Sequence, residues 1–235
     1  MMNPFGEIKE VKEATDDGMK NKIKAFENAI REAYNKNTIE NSVNEKDVSS
    51  EIEEAKNDSG KQNSPENLHQ EKIDGETRYY DDNEKLYRVE NNLEPNNEYE
   101  INGYKYTTDE QGRIVSVEGD LHMKNHEGRL PIKDSIEDIG KGDQKEGDDR
   151  GHLIGDQFDG SNGLENMIPQ DSNVNRNDFK IFENELAKEV KDGKEVYISI
   201  NVIYEEDSRR PEAIAVTYSI DGQVGSRIFH NGKEE

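Results

Sequence analysis

At Thr77 the chain changes character. From Asn37 to Asp74 it is built of Asn, Glu, Lys, Ser, Asp and Gln, with few apolar residues. Such a stretch cannot bury enough surface to offset the entropy of ordering it. From Thr77 onward apolar side chains recur with period two, the spacing of strands with one face on a core. Arg78-Tyr79-Tyr80 and Leu86-Tyr87-Arg88-Val89 flank a polar turn, and Tyr99-Glu100-Ile101 and Tyr104-Lys105-Tyr106 flank Asn102-Gly103. Asn-Gly between alternating segments is the strongest short-range hairpin signal in the chain. Asp109-Glu110-Gln111-Gly112 is a further turn, followed by a strand over 113–117.

The second half repeats the pattern around one helix. Val196–Tyr204 reads as a long strand, Ala213–Ile220 as its partner, and Asp221-Gly222 turns into a last strand containing Arg227-Ile228-Phe229. Between Val174 and Lys191, Phe179, Phe182, Leu186, Ala187 and Val190 form the apolar stripe of a helix, with Gly193 placed to end it. Residues 121–147 read mostly as loop, and Glu165–Pro169 as a short extended segment ending at the proline. The expected fold is α+β, an antiparallel sheet with one long helix. Asp17–Lys36 reads as a separate amphipathic helix through Ile23, Phe26, Ile30, Ala33 and Tyr34. This gives three expected regions: a helical segment over 1–36, a flexible polar linker over 37–76, and a folded domain over 77–235.

With 235 residues, 36% charged and 29% hydrophobic, there is apolar material for one ordinary domain plus a polar extension. There is no cysteine, which excludes disulfides and thiolate zinc sites. No run approaches the roughly 18 apolar residues of a membrane span, so membrane insertion is not expected. The N-terminus has neither the basic region nor the apolar region of a cleaved signal peptide. The chain is therefore expected in the cytoplasm, or exported without a cleaved signal, or as a piece of something longer.

Formal charge is −23 overall, and −18 over residues 73–235, with 20 basic and 38 acidic side chains. Tight binding to nucleic acid by counterion release requires the opposite balance. A catalyst needs only one local cationic site, part of which a divalent ion can supply.

The chemistry concentrates in Asp148-Asp149-Arg150-Gly151-His152-Leu153-Ile154-Gly155. Imidazole is the side chain best suited to accept a proton near neutral pH, and His152 is the candidate base. Gly151 is expected to let the backbone bend beside it. Arg150 is a candidate phosphate contact, the alternative being a salt bridge to Asp148 or Asp149. Downstream, Asn175 offers a carbonyl oxygen suited to Mg²⁺, although an asparagine near a helix start is commonly a cap, with Asn173 as the competing cap. Glu183 lies eight residues further on, about 12 Å along a regular α-helix. Both can serve one ion directly only if the early residues are not α-helical. Otherwise Glu183 acts through a metal-bound water, or simply faces solvent. Arg176 is a second candidate substrate cation, and Arg129 could be a further phosphate contact.

His122 and His126 are spaced by four, but Gly128 and Pro131 follow and no third ligand is apparent, so a zinc site is not expected there. His230 reads as structural, and Asn166 as a residue that shapes the site.

Asp-Arg-Gly-His followed by Asn175, Phe179 and Glu183 resembles the two halves of the site in the DNA/RNA non-specific endonucleases, which are ββα-metal (His-Me finger) nucleases. The resemblance covers roughly residues 99–231. The family usually has tryptophan where this chain has Phe179. The resemblance implies a ββα-metal fold and a metal-dependent, sugar-non-specific endonuclease. In it His152, Arg150 and Glu183 are catalytic, Asn175 is the metal ligand and Arg150 and Arg176 bind substrate, with Mg²⁺ as cofactor and Mn²⁺ as the alternative ion. The Asp-Asp-Arg-Gly-His-Leu-Ile and Glu-Asn-Met-Ile-Pro-Gln segments resemble the C-terminal nuclease domains of LXG-type polymorphic toxins. Those toxins leave Gram-positive bacteria by type VII secretion and are held in check by a cognate immunity protein. The implied partners are then DNA, RNA and an immunity protein. The readings set against it are a catalytically decayed toxin or non-enzymatic binding module, and a hydrolase of another phosphodiester.

Overall fold

The computed structural model describes residues 69–232. The expected helix over 17–36 and the expected linker up to residue 68 lie outside the described residues. The folded part begins earlier than the polar composition implies. β1 (His69–Ile73) pairs antiparallel with β2 (Glu76–Tyr80), so the last stretch of the expected linker is a strand. Its side chains are almost all exposed, and backbone pairing rather than burial holds it. Periodicity cannot report a strand of that kind. β2 continues into β3 (Leu86–Val89) and β4 (Asn92–Leu93), completing a four-stranded sheet in the order β1-β2-β3-β4.

The main sheet has six antiparallel strands. They are β5 (Glu98–Ile101), β6 (Tyr104–Thr108), β7 (Ile114–Asp120), β10 (Val196–Tyr204), β11 (Pro211–Ile220) and β12 (Gln223–His230), in the order β12-β11-β10-β7-β6-β5. Asn102 and Gly103 both have positive φ, 54° and 78°, with Ile101 opposite Tyr104. That is the left-handed pair a two-residue hairpin requires. Along β10 the residues Val196, Ile198, Ile200 and Val202 are buried while those between them are partly exposed. The period-two reading of that segment holds from Val196 to Ile203, where a register shift against β11 ends it.

A third, two-stranded sheet pairs β8 (Asp148–His152) with β9 (Met167–Asp171), with His152 opposite Met167 and Arg150 opposite Pro169. The extended segment expected to end at Pro169 instead runs through it. β9 has a single partner strand, so a residue without an N–H is tolerated there. Glu165 and Asn166 belong to the short turn Leu164–Asn166 that precedes it. In the stretch expected to be loop lies one short helix, α1 (Ile136–Gly140), capped reciprocally by Ser135 and Asp138.

The expected helix over 174–191 has two parts, a π-helical turn (Val174–Phe179) and then α2 (Lys180–Lys191). Its apolar stripe packs on the main sheet through an aromatic cluster. Phe179 meets Phe229 at 5.0 Å between ring centroids, and Phe182 meets Tyr218 at 5.3 Å and Phe229 at 5.6 Å. With Phe182 1% exposed, truncation to alanine would cost about 3–5 kcal/mol. The β8-β9 ribbon followed by this helix is the part of the molecule that carries the motif. It is tied to the main sheet by Arg210, whose guanidinium grips Asp148 at 2.7 and 2.9 Å.

Candidate active site

β8 presents the motif from a straight strand, not a bend. Gly151 has no positive φ. A side chain there would collide with the carboxamide of Gln170, packed over it from β9. Glycine is required at 151 by close approach, which corrects the bend expected from the sequence.

His152 ends β8 and is 7% exposed. Its Nε2 lies 2.8 Å from Asn162 Oδ1, and the Asn162 amide nitrogen reaches toward Asp156 Oδ1 at 3.5 Å. With the amide of Asn162 so directed, its oxygen accepts from the imidazole Nε2–H. That fixes the tautomer and leaves Nδ1 with the lone pair. Burial is the main cause that holds the His152 pKa below the ordinary histidine value, and the nearby Arg129 adds to it. The side chain is therefore neutral, and able to accept a proton, at neutral pH. Asn162 and Asp156 were not singled out from the sequence, and no spacing signal marks them.

Asn175 stands in the π-helical turn and Glu183 in the first turn of α2, so the residues between them are helical throughout. Asn175 Nδ2 donates to Asp149 Oδ2 at 2.9 Å, which directs the amide and leaves Oδ1 as the free end. Asn173 is not a side-chain cap, because its oxygen accepts from Asn177. Asp171 does that work: its Oδ1 accepts from the N–H groups of Asn173 at 3.0 Å and Val174 at 3.1 Å.

Of the three arginines named from the sequence, Arg176 and Arg150 are committed to protein partners. Arg176 forms a forked pair with Asp149, 2.8 Å from Nε and 2.6 Å from the second nitrogen. Arg150 takes neither acidic neighbour; it donates to the carbonyls of Asp134 at 3.0 Å and Ile132 at 3.5 Å. That holds the 132–134 segment, itself anchored by the buried Arg88–Asp134 pair. The better placed cation is Arg129. Its charge acts on His152, Asp149 and Glu183 alike, and the side chain is exposed.

Glu183 leaves α2 toward Gly155, whose backbone N–H faces its carboxylate. A side chain at 155 would strike that carboxylate. Burial pushes the Glu183 pKa up to about 7, against the opposing pull of Arg129 and Lys180. Gly155, which the carboxylate faces, lies three residues beyond His152 and the end of β8. Asn166, read as site-shaping, clamps the loop between them. Its Oδ1 accepts from Ile154 N–H at 2.9 Å, and its Nδ2 donates to the carbonyls of Ile154 at 2.7 Å and Ser161 at 2.8 Å.

A buried neutral imidazole on β8, a directed amide oxygen on the π-helical turn, a carboxylate of α2 facing Gly155 and an exposed arginine are thus carried by the ribbon, its helix and the loop before them. The family model described as DNA/RNA non-specific endonuclease matches residues 95–222, which covers all of them. The type VII secretion system protein EssD of Staphylococcus aureus strain USA300 is 34% identical over 148 residues, 59% of this chain and 24% of that protein. The protein of the same name in strain NCTC 8325 / PS 47 gives the same figures, and that in strain Newman is also 34% identical, over 23% of its length. The chain thus spans about a quarter of the length of the curated relatives it matches.

Proposed function

Since the chain belongs to the DNA/RNA non-specific endonuclease family, we propose that it is a Mg²⁺-dependent hydrolase of phosphodiester bonds in DNA, RNA or both. The reading rests above all on the tautomer of His152: Asn162 occupies Nε2 and leaves Nδ1 to take the proton of an attacking water. Arg129 stands ready for a phosphate oxygen, and Arg150 would offer the guanidinium N–H groups that its contacts with the Ile132 and Asp134 carbonyls leave over. Asn175 would hold the ion, because Asp149 turns its carbonyl oxygen outward, and Glu183 would take a water of the ion's shell. A hard oxygen donor with so few protein ligands suits Mg²⁺, which keeps several waters, and Mn²⁺ is the alternative ion. When bound, the ion neutralises charge on the phosphate and on the leaving oxygen. Arg176 is not needed as a substrate contact in this scheme, since it steadies Asp149.

The likeness to a type VII secretion system protein supports a role as the nuclease module of a secreted toxin, exported without a cleaved signal. Its producer would then need an immunity protein to block the site. Among the described residues no helix is long and apolar enough to cross a membrane.

A Mg²⁺ titration of supercoiled-DNA and structured-RNA cleavage tests this, with wild type beside Asn175→Ala. Wild type should cleave in Mg²⁺ and be silent in EDTA. Asn175→Ala should lose most activity at low Mg²⁺ and recover in part as Mg²⁺ is raised, because mass action refills a weakened site. Undiminished cleavage in EDTA would remove the metal, and equal loss at every Mg²⁺ concentration would remove Asn175 as its ligand.

A further inference from the structure

Arg129 lies in a stretch, 121–135, that has neither strand nor helix. An arginine on such a segment is held in one place only if other groups tie the segment down. One carboxylate does so. Asp156 opens the short turn Asp156–Phe158, directly after Gly155. Its Oδ2 takes the ammonium of Lys124, and the same ammonium donates to the Gly128 carbonyl. Its Oδ1 accepts from the Leu130 N–H at 3.2 Å. Lys124 N–H adds a bond to the Gln157 carbonyl at 3.0 Å. Gly128 and Leu130, the two neighbours of Arg129 in the chain, are thus both held through Asp156.

The same carboxylate also faces the group that orients the base. Asn162 Nδ2 is 3.5 Å from Asp156 Oδ1, while Asn162 Oδ1 is 2.8 Å from His152 Nε2. At 3.5 Å the first contact is a weak hydrogen bond, but it fixes which way round the amide sits. Turned over, the amide would set its carbonyl oxygen against a carboxylate and its NH₂ group against His152. Asp156 is ionised at neutral pH. Burial pushes its pKa up, but Lys124 and the Leu130 N–H outweigh burial and hold it below the ordinary aspartate value.

We propose that Asp156 is a positioning residue that sets two parts of the site together: the tautomer of His152, through Asn162, and the place of Arg129, through Lys124 and Leu130. The part concerning Arg129 rests on the nuclease reading above, and the part concerning the tautomer does not. Without the carboxylate, the amide of Asn162 is free to turn over. It then donates to Nε2 and moves the imidazole proton to Nδ1, the atom that has to accept from water. The segment around Arg129 loses two of its ties in the same step.

Long-range ¹H–¹⁵N NMR of the metal-free full-length protein reads the tautomer, in mildly alkaline buffer and with the His152 ring assigned by its loss in His152→Gln. Wild type should carry its proton on Nε2. In Asp156→Ala the two ring nitrogen shifts should move toward each other as the tautomers mix. Asp156→Asn, which keeps the volume and one acceptor but not the charge, gives the same readout should alanine prevent folding. Single-turnover DNA cleavage in Mg²⁺ supplies the second arm. Asp156→Ala should lower the rate at saturating DNA by on the order of 10²-fold and also raise the DNA concentration for half-saturation. Arg129→Ala should raise that concentration and leave the His152 nitrogen shifts in place. A protein that is not a nuclease would fail the cleavage arm already as wild type, and would still answer the NMR arm. Unchanged His152 nitrogen shifts in folded Asp156→Ala or Asp156→Asn would overturn the proposal. So would a half-saturation that Asp156→Ala leaves unchanged while Arg129→Ala raises it.

Discussion

Glu183 is the residue whose chemistry the sequence alone describes least. In the sequence its spacing from Asn175 singles it out, with a role through a metal-bound water or a plain solvated face as the alternatives. In the fold it is pressed against Gly155, with its pKa pushed up to about 7 by burial. A carboxyl raised in the folded state holds its proton where the unfolded chain has lost it, so it lowers stability as pH climbs from its ordinary 4.5 toward 7. Glutamine cannot ionise and is spared that loss. In EDTA, the melting temperature of Glu183→Gln should match wild type near pH 4.5 and rise progressively above it through pH 7. A difference that stays flat across the range would mean that the carboxyl is not desolvated in the folded protein. Gly151 carries a related lesson. Its identity was legible, but its reason was not, because only the fold shows the Gln170 carboxamide lying over it. His152 and Asn175 were legible as types at a spacing. Their partners Asn162 and Asp149 were not, because the bonds that direct an imidazole or an amide leave no periodic mark.

At the scale of elements, strands with alternating burial were readable and elements held by capping or backbone pairing were not. β10 coincides with its expected range, while β1 was hidden by exposed polar side chains and α1 by its brevity. The Ser135 and Asp138 spacing, a capping box, was the available signal for α1. The helix of the site was legible as a stripe, but its first turn winds as a π-helix, and the stripe of 179–190 says nothing about residues before it. What seats that turn is Asn231. Its Nδ2 donates to the carbonyls of Pro169 at 2.9 Å and Pro211 at 2.8 Å, and its Oδ1 accepts from Asp171 N–H at 2.7 Å. One buried amide therefore joins β9, β11 and the residue that caps the turn. Asn231→Ala strands these backbone groups, and should lower unfolding free energy by on the order of 2–3 kcal/mol. Urea unfolding measures it, and a loss under about 0.5 kcal/mol would show that water replaces the amide freely.

Across the whole molecule, charge and function pull in opposite directions. Residues 73–235 carry −18, so a phosphate substrate would be repelled at long range, and the proposed function calls on the small field of Arg129, Arg150 and an ion to attract it at short range. Residues 1–62 form a separate unit from 63–235, and every side chain named in the site belongs to the second. A chain starting at Asn63 keeps β1 paired, whereas one starting at Gly75, the cut suggested by the polar composition, would strip a strand from the smaller sheet. The Asn63–Glu235 protein should cleave within a few-fold of the full chain. A folded but inactive product would assign the N-terminal unit a part in catalysis. The central claim, that the β8–β9 ribbon and its helix present a neutral imidazole to water, is tested most directly by single-turnover DNA cleavage with His152→Ala in saturating Mg²⁺. Loss of the base should slow cleavage by about 10²–10⁴-fold while the circular dichroism spectrum stays that of the wild type. A folded variant retaining more than a tenth of the wild-type rate would contradict the assignment.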